Sequence, residues 1–189
     1  FREPILFYKD ITLEVTDEVG GKNANLAELN NYLKLNVPEG FAITTSAFRE
    51  FVEYNRIKGK IDELKLKYKK AVKRSKQEDM MAAVTFAEAG EHATAREILQ
   101  EEDYLDESFF IEVQKLFRKG KLPPSLESAI EKGVEMLQDR YGKTCLVAVR
   151  SSAEEEDKDL SFAGQFESVL NVPAEKMKVE EAYKEVLAS

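Results

Sequence analysis

Between Cys145 and Val172 the chain passes from an apolar run to a charged one and back, and this alternation limits what can be built around it. Cys145 to Val149 reads Cys-Leu-Val-Ala-Val and stops at Arg150. Ser168 to Val172 is a second run of strand-forming composition. Between them stand Glu154, Glu155, Glu156, Asp157 and Asp159, then Ser161-Phe162-Ala163-Gly164-Gln165. The pattern predicts strand, loop, strand, with an arginine held at the end of the first strand. A guanidinium is always charged, and its planar fork matches two phosphate oxygens at once. The turn at Ala163-Gly164 lets backbone come close to a ligand, because glycine has no Cβ. The same arginine would serve equally in a surface ion pair, and these residues alone leave both readings open.

A second segment carries a similar ambiguity. Gly20-Gly21-Lys22-Asn23-Ala24-Asn25-Leu26 is followed by Leu29 and Leu33, a spacing that predicts a tight turn leading into an amphipathic helix. A lysine in the first turn opposes the helix dipole, yet it suits a site shared with an anion. This is not the P-loop pattern, which requires Gly where Thr16 stands and Ser or Thr where Asn23 stands. Pro38 and Gly40 then mark a turn, Phe41 to Thr44 a strand, and Thr44-Thr45-Ser46 the cap of a helix with Phe48, Phe51 and Val52 inward. Ile5 to Tyr8 is a further short strand.

Residues 56–140 read as helices at 59–75, 77–89, 92–101, 107–119 and 124–140, the last opened by Pro123-Pro124. No chemical pattern stands out among them. The basic run Lys65 to Lys76 predicts a solvated helix face, and the lone His92, at a helix start, a structural residue. A final helix is expected at Lys176 to Leu187.

A net charge of −8 and an isoelectric point near 5.0 argue against nucleic acid as a partner, since a phosphate backbone calls for clustered Lys and Arg. No run approaches the ~20 apolar residues a membrane span needs. The single cysteine, Cys145, excludes an internal disulfide and fits a reducing compartment such as the cytoplasm; it reads as a small buried hydrophobe. The chain begins at Phe1 without an initiator Met, which suggests a piece of a longer protein. Its oligomeric state is not legible.

Val147-Ala-Val-Arg-Ser-Ser-Ala153, then Glu156-Asp157, then Ser161-Phe-Ala-Gly-Gln165 resembles the nucleotide-binding domain of the phosphoenolpyruvate synthase and pyruvate phosphate dikinase family. Gly20 to Leu26 and Val37 to Phe48 resemble the opening of the same domain, so the resemblance covers residues 15–55 and 142–175. It implies an α+β fold, the N-terminal portion of an ATP-grasp domain. One small sheet would hold all four strands, with a large helical lobe beside it. The chain would divide into 1–55, 56–140 and 141–189.

By the same resemblance Lys22 contacts ATP. Arg150 is a catalytic, phosphate-binding residue, and Ser161, Ala163, Gly164 and Gln165 close over the phosphates. The parent reaction would convert ATP, pyruvate and water to phosphoenolpyruvate, AMP and phosphate, through a phosphohistidine on another domain. His92 does not match that histidine. Mg²⁺ is implied, with ligands mostly outside this chain, and the acidic run at 154–159 reads as a solvated loop, not a metal site. Asn23 departs from the family's usual Gly and would crowd the phosphates or offer an amide in place of a backbone contact. A relative acting on another acceptor, or a non-catalytic nucleotide-binding or regulatory module, are the alternatives.

Overall fold

A computed structural model describes residues 3–31, 38–90, 107–151 and 168–189. The chain groups into two compact units, Lys58–Glu112 and the remainder, Phe1–Ile57 with Val113–Ser189. In the larger unit, β1 (Ile5–Phe7) runs antiparallel to β2 (Phe41–Ile43), with Leu6 opposite Ala42 and Phe7 opposite Phe41. Leu6, Tyr8 and Val15 pack on a buried cluster of Ile11, Val19, Ala24, Ala27 and Ala42. Phe7 and Phe41 meet edge to face, ring centroids 6.4 Å apart.

After β1 the chain makes two 3-10 turns, at Tyr8–Asp10 and Leu13–Val15, then α1 (Thr16–Val19) and α2 (Gly21–Asn31). The leucine stripe anticipated for α2 is not what it buries. Ala24 and Ala27 are enclosed, Leu26 is exposed, Leu29 is half-buried, and Leu33 lies outside the described residues. Small side chains let α2 lie close against the preceding turns, where Asn31 Nδ2 donates to the carbonyls of Tyr8 (3.2 Å) and Ile11 (3.3 Å). α3 (Thr45–Tyr54) starts as its sequence indicates: the Thr44 hydroxyl oxygen accepts from Ala47 N–H at 3.3 Å, and Phe51 and Val52 are buried.

In the smaller unit, α4 (Ile57–Glu88) is one helix of 32 residues where the sequence suggested two, at 59–75 and 77–89. No glycine or proline falls between Gly59 and Gly90, so nothing breaks the backbone hydrogen bonding at residue 76. Lys67, Lys69 and Lys70 are exposed, the solvated face expected of the basic run. Phe109, in α5 (Glu107–Arg118), is fully buried, its ring edge-on to Tyr68 at 5.4 Å and to Phe110 at 5.6 Å. The helix anticipated at 92–101, with His92, lies outside the described residues.

α6 (Pro124–Tyr141) opens on the Pro123-Pro124 pair and buries Leu126, Ala129, Ile130, Gly133, Val134 and Leu137, the three-and-four spacing of an inward face. β3 (Leu146–Arg150) pairs antiparallel with β4 (Ser168–Pro173), and α7 (Lys176–Ala188) packs on both strands and on α6. The single four-stranded sheet is therefore wrong: the strands form two separate two-stranded sheets. Each pair has its own helix, α6 at β1 and α7 at β3 and β4. Apolar burial is met strand pair by strand pair, with no need for one continuous ladder.

The β3–β4 ladder slips between Val147 and Val149, where β4 holds an extra residue and Asn171 takes a positive φ of 56°. Val147 and Val149 are half-buried, while Leu146, Ala148, Arg150 and Leu170 are exposed. Cys145 is half-buried, not enclosed, with its thiol 3.8 Å from the Leu137 carbonyl. No helix among the described residues is long and apolar enough to cross a membrane.

Candidate functional site

The turn that presents Lys22 depends on Gly20. Its φ of +77° lies where side chains are strained, so glycine is the residue that lets α1 end and α2 begin within one position. Gly20 N–H donates to the Thr16 carbonyl at 2.7 Å, and its own carbonyl accepts from Ala24 N–H at 3.1 Å. α1 is anchored in turn by Thr45, whose hydroxyl lies 3.2 Å from the Asp17 carbonyl and 3.3 Å from Glu18 Oε2. Lys22 is thus the second residue of α2, exposed, at the positive end of the helix. The first N–H groups of a helix have no intrahelical carbonyl to meet, and they favour an anion in front of them.

Asn23 is engaged with the protein. Its Nδ2 donates to the Val19 carbonyl at 2.9 Å, and its Oδ1 accepts from the Tyr8 hydroxyl at 3.3 Å. The side chain that departs from the expected glycine therefore braces the turn from behind.

Arg150 is the last residue of β3, opposite Ser168, and its side chain is exposed. Its positive charge reaches the Tyr8 hydroxyl: burial pushes that phenol above its ordinary value, and Arg150 acts against the shift. Tyr8 is thus hydrogen-bonded to the turn that carries Lys22. Reasoning from sequence missed Tyr8. It was legible only as the end of a short strand, and nothing local distinguishes it from a core aromatic.

Of the six residues anticipated for this site, Lys22 and Arg150 are described, one in the first turn of α2 and the other at the end of β3. Ser161, Ala163, Gly164 and Gln165 lie outside the described residues, as do the acids at 154–159. An open groove of about 540 Å³ lies on the Phe7 side of β1, lined by residues including Lys9, Glu39, Lys132, Asp139 and Arg140, and contains neither Lys22 nor Arg150. Among the described residues no three His, Cys, Asp or Glu side chains are placed to hold a metal ion.

Residues 16–189 match the family model described as pyruvate phosphate dikinase, AMP/ATP-binding domain. The chain is 32% identical over 173 residues to the phosphoenolpyruvate synthase of Aquifex aeolicus, covering 89% of this chain and 17% of that protein. Against the phosphoenolpyruvate synthase of Escherichia coli it is 33% identical over 172 residues, covering 89% of this chain and 18% of that one. The probable phosphoenolpyruvate synthase of Archaeoglobus fulgidus is 31% identical over 182 residues, 96% of this chain and 20% of its own length. The chain thus spans about a fifth of the relatives it matches.

Proposed function

Because the chain belongs to the pyruvate phosphate dikinase AMP/ATP-binding domain family, we propose that it is the ATP-binding part of a phosphotransferase resembling phosphoenolpyruvate synthase, built on the N-terminal portion of an ATP-grasp fold. In that enzyme ATP gives its β-phosphoryl group to a histidine on another domain. AMP is released, water takes up the γ-phosphoryl group as phosphate, and the β-phosphoryl group carried on the histidine passes to pyruvate. Lys22 and Arg150 bind the ATP phosphates and offset their charge. Phosphoryl transfer asks a protein mainly for positioning and electrostatic stabilisation, which two fixed cations supply. Ser161, Ala163, Gly164 and Gln165 are further phosphate-binding residues in this reading.

The observation that carries this reading is the match of residues 16–189 to the AMP/ATP-binding domain model, supported by Lys22 in the first turn of α2 and Arg150 at the end of β3. Calorimetric titration with ATP tests it. Both cations are exposed, so their attraction acts in a high dielectric. The chain should bind ATP no more tightly than roughly hundreds of micromolar, and Lys22→Ala should weaken binding about tenfold, the loss of one charge-assisted contact. Submicromolar binding indifferent to Lys22→Ala would overturn the assignment.

A further inference from the structure

Tyr8 is held at several points. Its N–H donates to the Gly40 carbonyl at 3.0 Å, and its carbonyl accepts from Asn31 Nδ2 at 3.2 Å. Its ring lies flush on Gly40: a Cβ added there would stand 2.7 Å from Cε2. Its hydroxyl meets Asn23 Oδ1 at 3.3 Å, while the other end of that amide is fixed to the Val19 carbonyl at 2.9 Å. From this geometry we infer that Tyr8 is a positioning residue for the phosphate end of the nucleotide, bracing the turn that carries Lys22 at a fixed place.

The inference rests on the nucleotide-site reading above and deepens it. A phenol has a single proton to donate. With that proton given to Asn23, Tyr8 has none left for a phosphate oxygen, which only accepts. The hydroxyl therefore acts through Asn23 and is not itself a phosphate ligand. The adenosine portion of the ligand is untouched by it.

The experiment is a set of titrations of the whole chain with ATP, inorganic tripolyphosphate and adenosine. Wild type, Tyr8→Phe, Asn23→Ala and the double variant are compared, with melting temperatures recorded for each. Tyr8→Phe keeps the ring on Gly40 and removes only the hydroxyl. It should weaken ATP and tripolyphosphate about three- to tenfold, the scale of one hydrogen bond, and leave adenosine unchanged. In the Asn23→Ala background it should have no further effect.

Equal losses for adenosine and tripolyphosphate would mark a merely structural role and overturn the inference. So would unchanged ATP binding, or effects that add in the double variant. Should Tyr8→Phe lower the melting temperature markedly, Asn23→Ala with Tyr8 intact reads the same link from the other side, and its tripolyphosphate affinity decides. Wild type that binds neither ATP nor tripolyphosphate, or binds both indifferently to Lys22→Ala, would remove the nucleotide-site reading and this inference together. Normal Lys22 dependence with a normal Tyr8→Phe would remove this inference alone.

Discussion

At the scale of single residues, Arg150 and Glu180 show how placement sets what a charge is worth. Arg150 has its backbone held in a ladder, and its planar fork suits two oxygens at once. Lysine keeps the charge and loses the fork, so Arg150→Lys in the complete phosphotransferase should slow ATP-dependent AMP release. The expected loss is roughly 30- to 1000-fold, or about 2–4 kcal/mol of transition-state stabilisation. Turnover at the wild-type rate would reduce Arg150 to a surface residue. Glu180 lies in α7, half-buried, with Oε1 shut off from solvent and without a hydrogen-bond partner. Burial raises its pKa; Lys176 and Lys184 oppose that shift, while Glu127 and Glu131 from α6 add to it. A carboxyl raised in the folded state binds its proton more readily there than in the unfolded chain. Stability should therefore rise as pH falls from above the raised value toward the ordinary 4.5, and the gain ends below it. Glu180→Gln should melt higher than wild type at pH 7, with the gap closing near pH 4.5. A gap that widens on acidification would reverse the sign.

At the scale of elements, helix-to-strand contacts decide more than propensity does. Gly133 sits mid-helix in α6, where alanine is intrinsically better by about 1 kcal/mol. A Cβ there would stand 2.5 Å from Phe41 Cε1 and 2.7 Å from Cδ1, and overpacking of this kind costs about 1–3 kcal/mol. The clash should win, and Gly133→Ala should lower the melting temperature by roughly 2–6 °C. An unchanged or higher value would mean that Phe41 moves aside freely. Most elements were legible from sequence. Each of the four strands appears within a residue of its expected bounds, and the Thr44 cap and the Pro123-Pro124 helix start are as read. These features rest on local chemistry, such as a cap, a ring-locked φ or a run of β-branched residues. The helices expected at 59–75 and 77–89 are one, α4, because no glycine or proline interrupts the chain between Gly59 and Gly90.

At the scale of the whole molecule, Tyr8, Lys22 and Arg150 all belong to the unit formed by Phe1–Ile57 and Val113–Ser189. Stability and ligand binding should therefore separate. Phe109→Ala empties a fully buried ring position of the other unit and should destabilise the chain by about 3–5 kcal/mol. ATP affinity, measured well below the melting transition, should stay within about twofold of wild type, as expected for sites without shared partners. A tenfold loss would couple the units. The sequence by itself determined the element types, the turn before Lys22 and the strand end at Arg150, because each depends on residues a few positions apart. It also carried the family, through side chains whose order in the chain is itself the evidence. Only the tertiary structure decided that the strands form two sheets, that α2 buries alanines in place of leucines, and that the Tyr8 hydroxyl meets Asn23 in the Lys22 turn. Those outcomes turn on which surfaces can approach closely enough to exclude water and align a hydroxyl with an amide, and no local pattern of residues encodes that distance.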